Sequence, residues 1–298
     1  MRHEAAGVVQ ELAPGLRGML APNPGPMTHW GTNTFLIGDR ELAIIDPGPD
    51  NPQHLAALLS AVDGAEVSHI IVTHAHLDHS PLAPRLAQLT GAPVLAFGDA
   101  TAGQRPVMKM LVAEGLAGGG EGVDMHFSPD QAVSDGYRID GNGWHLDVLH
   151  TPGHFAGHIA LRWDDIVLTG DHVMDWSSSL VSPPDGNLSD FMATSRKLRL
   201  LEDTIFYPAH GGPISDPADR LDWLIKHREA RETAILTALT NKPQNVPTLT
   251  RTVYTDLPEA MLPAAERNVF AHLIDLTERG MVSADPQLGL HAGYRLAR

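Results

Sequence analysis

At 298 residues, with 43% hydrophobic and 19% charged side chains, the chain can bury one large core plus a small one, and its composition excludes a disordered protein. A formal net charge of −15 repels polyanions on average, which disfavours nucleic acid and anionic membrane as general partners. Cysteine is absent, so disulfides, thiolate ligands and a cysteine nucleophile are excluded, and any metal must be held by nitrogen and oxygen.

The opening "MRHEAAGVVQEL" lacks the apolar core of an export signal and no run of about 18 uncharged apolar residues follows, so a cytoplasmic protein with no membrane span is expected. "TNTFLIG" and "ELAIIDPG" read as a hairpin turning at "DR". "NPQHLAALLSAV" reads as a helix: Asn51 caps it, Pro52 fits its first turn, and Leu55, Leu58, Leu59 and Val62 share a face. "SHIIVTH" is then a buried strand, "SPLAPRLAQLTG" a helix closed by Gly91, and "APVLAFG" a strand. From Thr101 to Gly136 no periodic pattern runs, and Gly118, Gly119, Gly120 and Gly122 cluster; a flexible loop and a substrate lid are both compatible with that texture. Strands are expected at "WHLDVLHT", "HIALRW", "DIVLTGD" and "TIFYPAHG", with a helix from Ser189 to about Leu201.

From Asp216 the texture turns helical, with Leu221, Leu224, Ile225, Ile235, Leu236 and Leu239 at helical spacing. "TLTRTVYTDL" and "PAAERNVFAHLIDLTERG" predict two more helices, and "MVSADPQLGLHAGYRLA" a hairpin, together a winged-helix-like pattern. Residues 1–215 and 216–298 are thus expected to be two domains. The charged stretch "HREARE" fits either a solvated face or a polar anchor between them. From Arg220 onward ten Lys and Arg stand against nine Asp and Glu, too neutral for a DNA-reading module, which makes a metal-sensing regulator a minor alternative.

The chemistry concentrates in "THAHLDH", residues 73–79, at the end of a predicted strand. Lone histidines are more often structural than ligating, which is the reading for His3, His54, His145, His227, His272 and His291. Four coordinating groups in six residues are different: a tight turn can aim His74 and His76 at one metal and Asp78 and His79 at another. The missing ligands must come from other strand ends, where His154, Asp171 and His210 each follow an apolar run and sit beside a glycine.

The "HxHxDH" cluster followed by histidine, aspartate and histidine resembles the metallo-β-lactamase superfamily. That resemblance implies an α/β fold, an αββα sandwich of two sheets covered by helices, with a small C-terminal winged-helix-like α+β domain. It implies two divalent metal ions, zinc first and iron or manganese as substitutes. His74, His76 and His154 would hold one, Asp78, His79 and His210 the other, and Asp171 would bridge them. Asp46 would organise the site from behind, and His158 would orient a ligand. Asp78 and Asp171 become the catalytic pair, orienting a hydroxide shared by the metals for attack on substrate. The tail resembles the winged-helix cap of the branch typified by beta-lactamase-like protein 2. One departure stands out: Pro81 and Leu82 occupy positions where the family commonly has two glycines. The expected activity is hydrolysis of a small acyl compound, an ester, thioester, lactone or amide. A metal-dependent endoribonuclease or phosphodiesterase is the alternative, disfavoured by charge, and β-lactam hydrolysis ranks lower.

Overall fold

The computed structural model describes residues 5–118, 122–202 and 204–297. Period-two patterning builds its central sheet. In β3 (Asn33–Gly38) and β4 (Glu41–Ile45), Phe35, Ile37, Ala43 and Ile45 face one apolar core while Leu36, Leu42 and Ile44 face another. A strand buried on both faces needs cover on both, and that requirement sets the layers.

The first sheet runs in chain order, β1 (Val9–Ala13), β2 (Leu16–Leu20), β3, β4, β5 (Glu66–Ile71), β6 (Val94–Ala96) and β7 (Gln131–Ala132). It is antiparallel as far as β4 and parallel thereafter, because α1 (Pro52–Ala61) and α2 (Ala83–Thr90) serve as crossovers on its outer face. The second sheet has the order β12-β11-β10-β9-β8, formed by β8 (Arg138–Gly141), β9 (Trp144–His150), β10 (Ile159–Trp163), β11 (Ile166–Gly170) and β12 (Ile205–Pro208). Phe35, Ile37, Ile71, Leu146, Val148 and Leu161 fill the space between the sheets. α4 (Leu188–Leu198) and α5 (Pro217–Ala238) cover the second sheet through Leu198, Leu221 and Leu224. The result is an αββα sandwich.

α5 continues beyond the sandwich, so that Ile235 joins a separate core with Leu249 of α6 (Val246–Val253), Phe270 of α7 (Leu262–Glu278) and Tyr294. A small sheet, β13 (Gln244–Asn245), β15 (Gly293–Leu296) and β14 (Val282–Asp285), completes this cap. Within "HREARE", Arg228 is buried and donates to Asn268 of α7 and to Ser179, so it is an anchor, whereas Glu229 pairs with Arg196 on the surface. Among the described residues no helix is long and apolar enough to cross a membrane.

The β1–β2 hairpin and a helix within 101–136 depart from the sequence expectation, as do the short strands β7, β8 and β13. The β1–β2 hairpin turns at Gly15 (φ 80°) and pairs with β3, adding an edge that was not foreseen. Within 101–136 a helix, α3 (Pro106–Ala113), forms where no periodicity was read, and its buried Met108 and Leu111 pack into the cap core. Eight residues hold too few repeats to announce a helix, and the partners lie far along the chain. Gly119 and Gly120 of the glycine cluster, and His3, lie outside the described residues.

Candidate metal centre

β4 and β5 lie parallel, and the segments leaving their C-terminal ends meet. Asp46, just beyond β4 and itself at φ 50°, accepts from Thr73 N at 2.7 Å and Thr73 Oγ1 at 2.8 Å, which ties down the first residue of "THAHLDH". Because Thr73 Oγ1 spends its proton on Asp46, it can only accept from His74 Nδ1, 3.0 Å away. His74 Nε2 therefore carries a bare lone pair. His154, on the loop between β9 and β10, donates from Nδ1 to Leu180 O at 2.7 Å, so its Nε2 is bare as well. Both lone pairs point at His76 Nδ1, at 2.9 and 3.1 Å. Burial, reinforced by the neighbouring imidazoles, pushes His76 down to about 3 and His74 well below the usual histidine range. His74 and His76 thus reject protons, and the group presents nitrogen lone pairs to one point.

The adjacent group behaves oppositely. His79 donates from Nδ1 to Asp46 Oδ2 at 2.9 Å, and His210 from Nδ1 to Gly31 O at 3.1 Å. Their Nε2 atoms face carboxylates, His79 at 3.3 Å from Asp78 Oδ2 and 3.5 Å from Asp171 Oδ1, His210 at 3.2 Å from Asp78 Oδ2 and 3.4 Å from Asp171 Oδ2. Burial alone would lower both histidines, but the facing carboxylates override it, holding His79 well above its ordinary value and His210 up to about 10. Conversely burial would raise Asp78 and Asp171, and the two histidines hold them well below the carboxylate range.

Both groups fit divalent cations. His74, His76, His154 and Asp171 offer one donor atom each within 4.8 Å of one another, and so do Asp78, His79 and His210. Asp78 Oδ1, Asp171 Oδ1, His79 Nε2 and His210 Nε2 are buried without a hydrogen-bond partner, an arrangement that a positive ion would satisfy. Nitrogen and oxygen donors of this kind suit zinc, iron or manganese. Asp171 Oδ2 also lies 3.6 Å from His154 Nε2 and 3.9 Å from His74 Nε2, so this carboxylate faces both groups.

All seven candidate side chains are thus brought together and buried. His54, His145, His227, His272 and His291 stand outside both groups. His158 orients no histidine ring, but accepts the backbone N–H of the candidate ligand Asp171 at 3.1 Å and pairs through Nδ1 with Thr151 Oγ1 at 2.7 Å. Sequence reading missed Thr32, which donates to Asp78 Oδ2 at 3.0 Å, and the Leu180 and Gly31 carbonyls. Leu82 is fully buried in the core beneath α2 and is not part of the pocket wall, so the departure from the glycine pair acts on packing.

A cavity of about 150 Å³ opens from His154 and Asp171. Met27, Met174, Trp176 and Leu180 line its sandwich side, and Tyr254, Leu257, Met261, Ala264 and Ala265 its cap side. Ser177, Ser178 and Asn268 add polar points, and no lysine or arginine lines it.

Residues 27–210 match the metallo-beta-lactamase superfamily, and residues 246–289 match the beta-lactamase associated winged helix domain. The chain is 29% identical over 282 residues to a beta-lactamase-like protein 2 homolog of Caenorhabditis elegans, covering 92% of this chain and 88% of that one. It is 29% identical over 239 residues to an atrochrysone carboxyl ACP thioesterase of Aspergillus fumigatus, covering 78% and 67%. The structure of a beta-lactamase domain protein from Burkholderia ambifaria superposes with a TM-score of 0.81 at 23% identity, covering 98% of this chain and 94% of that one, a likeness of fold.

Proposed function

The chain belongs to the metallo-beta-lactamase superfamily of hydrolases, with a histidine and aspartate metal site and the associated winged helix, and we propose that it is a dinuclear hydrolase of small apolar acyl compounds, thioesters and esters first. The cavity carries this reading. Its walls are chiefly apolar and carry no lysine or arginine, which suits a neutral acyl group and gives the flanking phosphates of a nucleic acid no side-chain cation to pair with. The thioesterase relative from Aspergillus fumigatus supports the same substrate class.

In this reading His74, His76 and His154 would hold one ion and Asp78, His79 and His210 the second, with Asp171 facing both groups. Two bound divalent ions, zinc first, would supply Lewis acidity and a water acidified to near neutral pH. Asp78 and Asp171 would orient that water. Thr32 donates to Asp78 Oδ2 and so fixes the orientation of that carboxylate. Trp176, Leu180, Tyr254 and Met261 enclose the acyl group and exclude bulk water from it.

A panel of ester, thioester and lactone substrates set beside a labelled single-stranded RNA tests the reading. Acyl turnover is expected, lost on chelation and in His76→Ala; metal-dependent RNA cleavage without acyl turnover would replace the proposal with the endoribonuclease alternative.

Metal uptake should also depend on pH in a split manner. Near neutrality the metal-free His79 and His210 hold protons that a metal must displace, so affinity at their group should rise about tenfold per pH unit for each proton released, towards pH 10. His74 and His76 have no proton to lose in this range, so they should add no pH dependence to affinity at their group. Titration calorimetry in buffers of different ionisation enthalpy counts the protons, and a count of zero would refute the charge assignment.

A further inference from the structure

Arg228 is a buried cation, 1% exposed, with no carboxylate partner among the described residues. Burial pushes it down only to about 10, so it remains charged at neutral pH. Leaving such a charge unpaired in an interior is strongly destabilising unless its hydrogen bonds are well used. They converge on one short segment. Nη2 donates to Ser179 O, and Nη1 donates to Asn268 Oδ1 at 2.8 Å, the same oxygen that accepts the Val181 backbone N–H at 3.1 Å. Ser179 Oγ in turn donates to His172 O at 2.9 Å, beside Asp171, and the guanidinium lies 5.1 Å over the Phe191 ring of α4. Between the two anchored residues sits Leu180, whose carbonyl accepts from His154 Nδ1 and sets the direction of its Nε2.

We infer that Arg228 is a positioning residue for the metal centre: with Asn268 of the cap it clamps residues 179–181 so that the Leu180 carbonyl aims His154 at the metal. The clamp joins α5 and α7 to a loop of the sandwich, so docking of the cap and the geometry of the metal site are one arrangement. This rests on the proposed role of His154 and goes beyond it by assigning a device that holds the ligand in place.

The test compares the full chain with Arg228→Met, Arg228→Lys and Asn268→Ala, reading zinc affinity by chelator competition, the absorption spectrum of the cobalt-loaded protein, and the thermal midpoint of the metal-free form. Loss of an outer hydrogen-bond partner weakens metal sites by about 10- to 100-fold, and that loss is expected for Arg228→Met and Asn268→Ala, with an altered cobalt spectrum and partial recovery in Arg228→Lys. Wild-type zinc affinity and cobalt spectrum in both variants, whatever the midpoint, would overturn the inference and leave Arg228 a structural anchor. If Arg228→Met does not fold, Asn268→Ala decides alone. A wild-type chain that binds no zinc would instead sink the hydrolase reading itself, and the inference with it.

Discussion

Asp171→Ala should lose acyl hydrolysis by about 10³-fold or more, equivalent to roughly 4 kcal/mol of transition-state stabilisation, together with tight metal loading. The size follows from position. Asp171 Oδ1 lies 3.5 Å from His79 Nε2, and Oδ2 lies 3.4 Å from His210 Nε2 and 3.6 Å from His154 Nε2, so one truncation withdraws negative charge from both groups. Left behind are three imidazoles with no carboxylate in the first group and Asp78 as the sole carboxylate in the second. Asp171→Asn preserves the shape and removes the charge, and should therefore lose nearly as much. Metal content by elemental analysis and steady-state rates check both variants. Full activity with about two metals per chain in either would remove Asp171 from the site.

Asp46→Ala should destabilise the protein by about 3 to 5 kcal/mol, because it strands buried donors rather than because it removes a contact. The carboxylate is buried and accepts from Thr73 N, Thr73 Oγ1 and His79 Nδ1, none of which has water to turn to. Asp46 also governs both halves of the metal centre: through Thr73 Oγ1 it dictates which nitrogen of His74 is bare, and directly it does the same for His79. Metal affinity should thus fall along with stability, by about 10- to 100-fold. Asp46→Asn should be intermediate, since its amide sets a donor against another donor in either orientation. Urea denaturation of metal-free and metal-loaded protein separates the two effects. A loss under about 1 kcal/mol with unchanged affinity would mean that the site does not depend on this bracing.

Much of this centre was legible because its side chains cluster in the chain. His74, His76, Asp78 and His79 share one turn, and His154, Asp171 and His210 each end an apolar run, a pattern that local strand geometry alone nearly assembles. Helices α1 and α2 were equally readable, since Asn51 caps one and Gly91 ends the other at φ 78°. The short α3 and the β1–β2 hairpin escaped because neither is long enough to show its period, and each is stabilised by partners from other parts of the chain.

The side chains able to hold metal are determined by residue type and spacing, while their division into two groups and the sandwich that carries them were implied by the resemblance to the metallo-β-lactamase superfamily. The directions of those side chains are set by neither. The His154 ring is aimed by a carbonyl 26 residues away, Asp78 by a hydroxyl 46 residues away and His210 by a carbonyl 179 residues away, and a backbone carbonyl is the same in every residue, so nothing in the chain marks it. Tertiary packing alone also decided that α5 would bury Arg228 against residues 179–181, and that Tyr254 and Met261 of the cap would wall the cavity beside Asp171. Hydrogen-bond direction and cavity shape depend on which distant surfaces meet, whereas coordinating chemistry belongs to the residue itself.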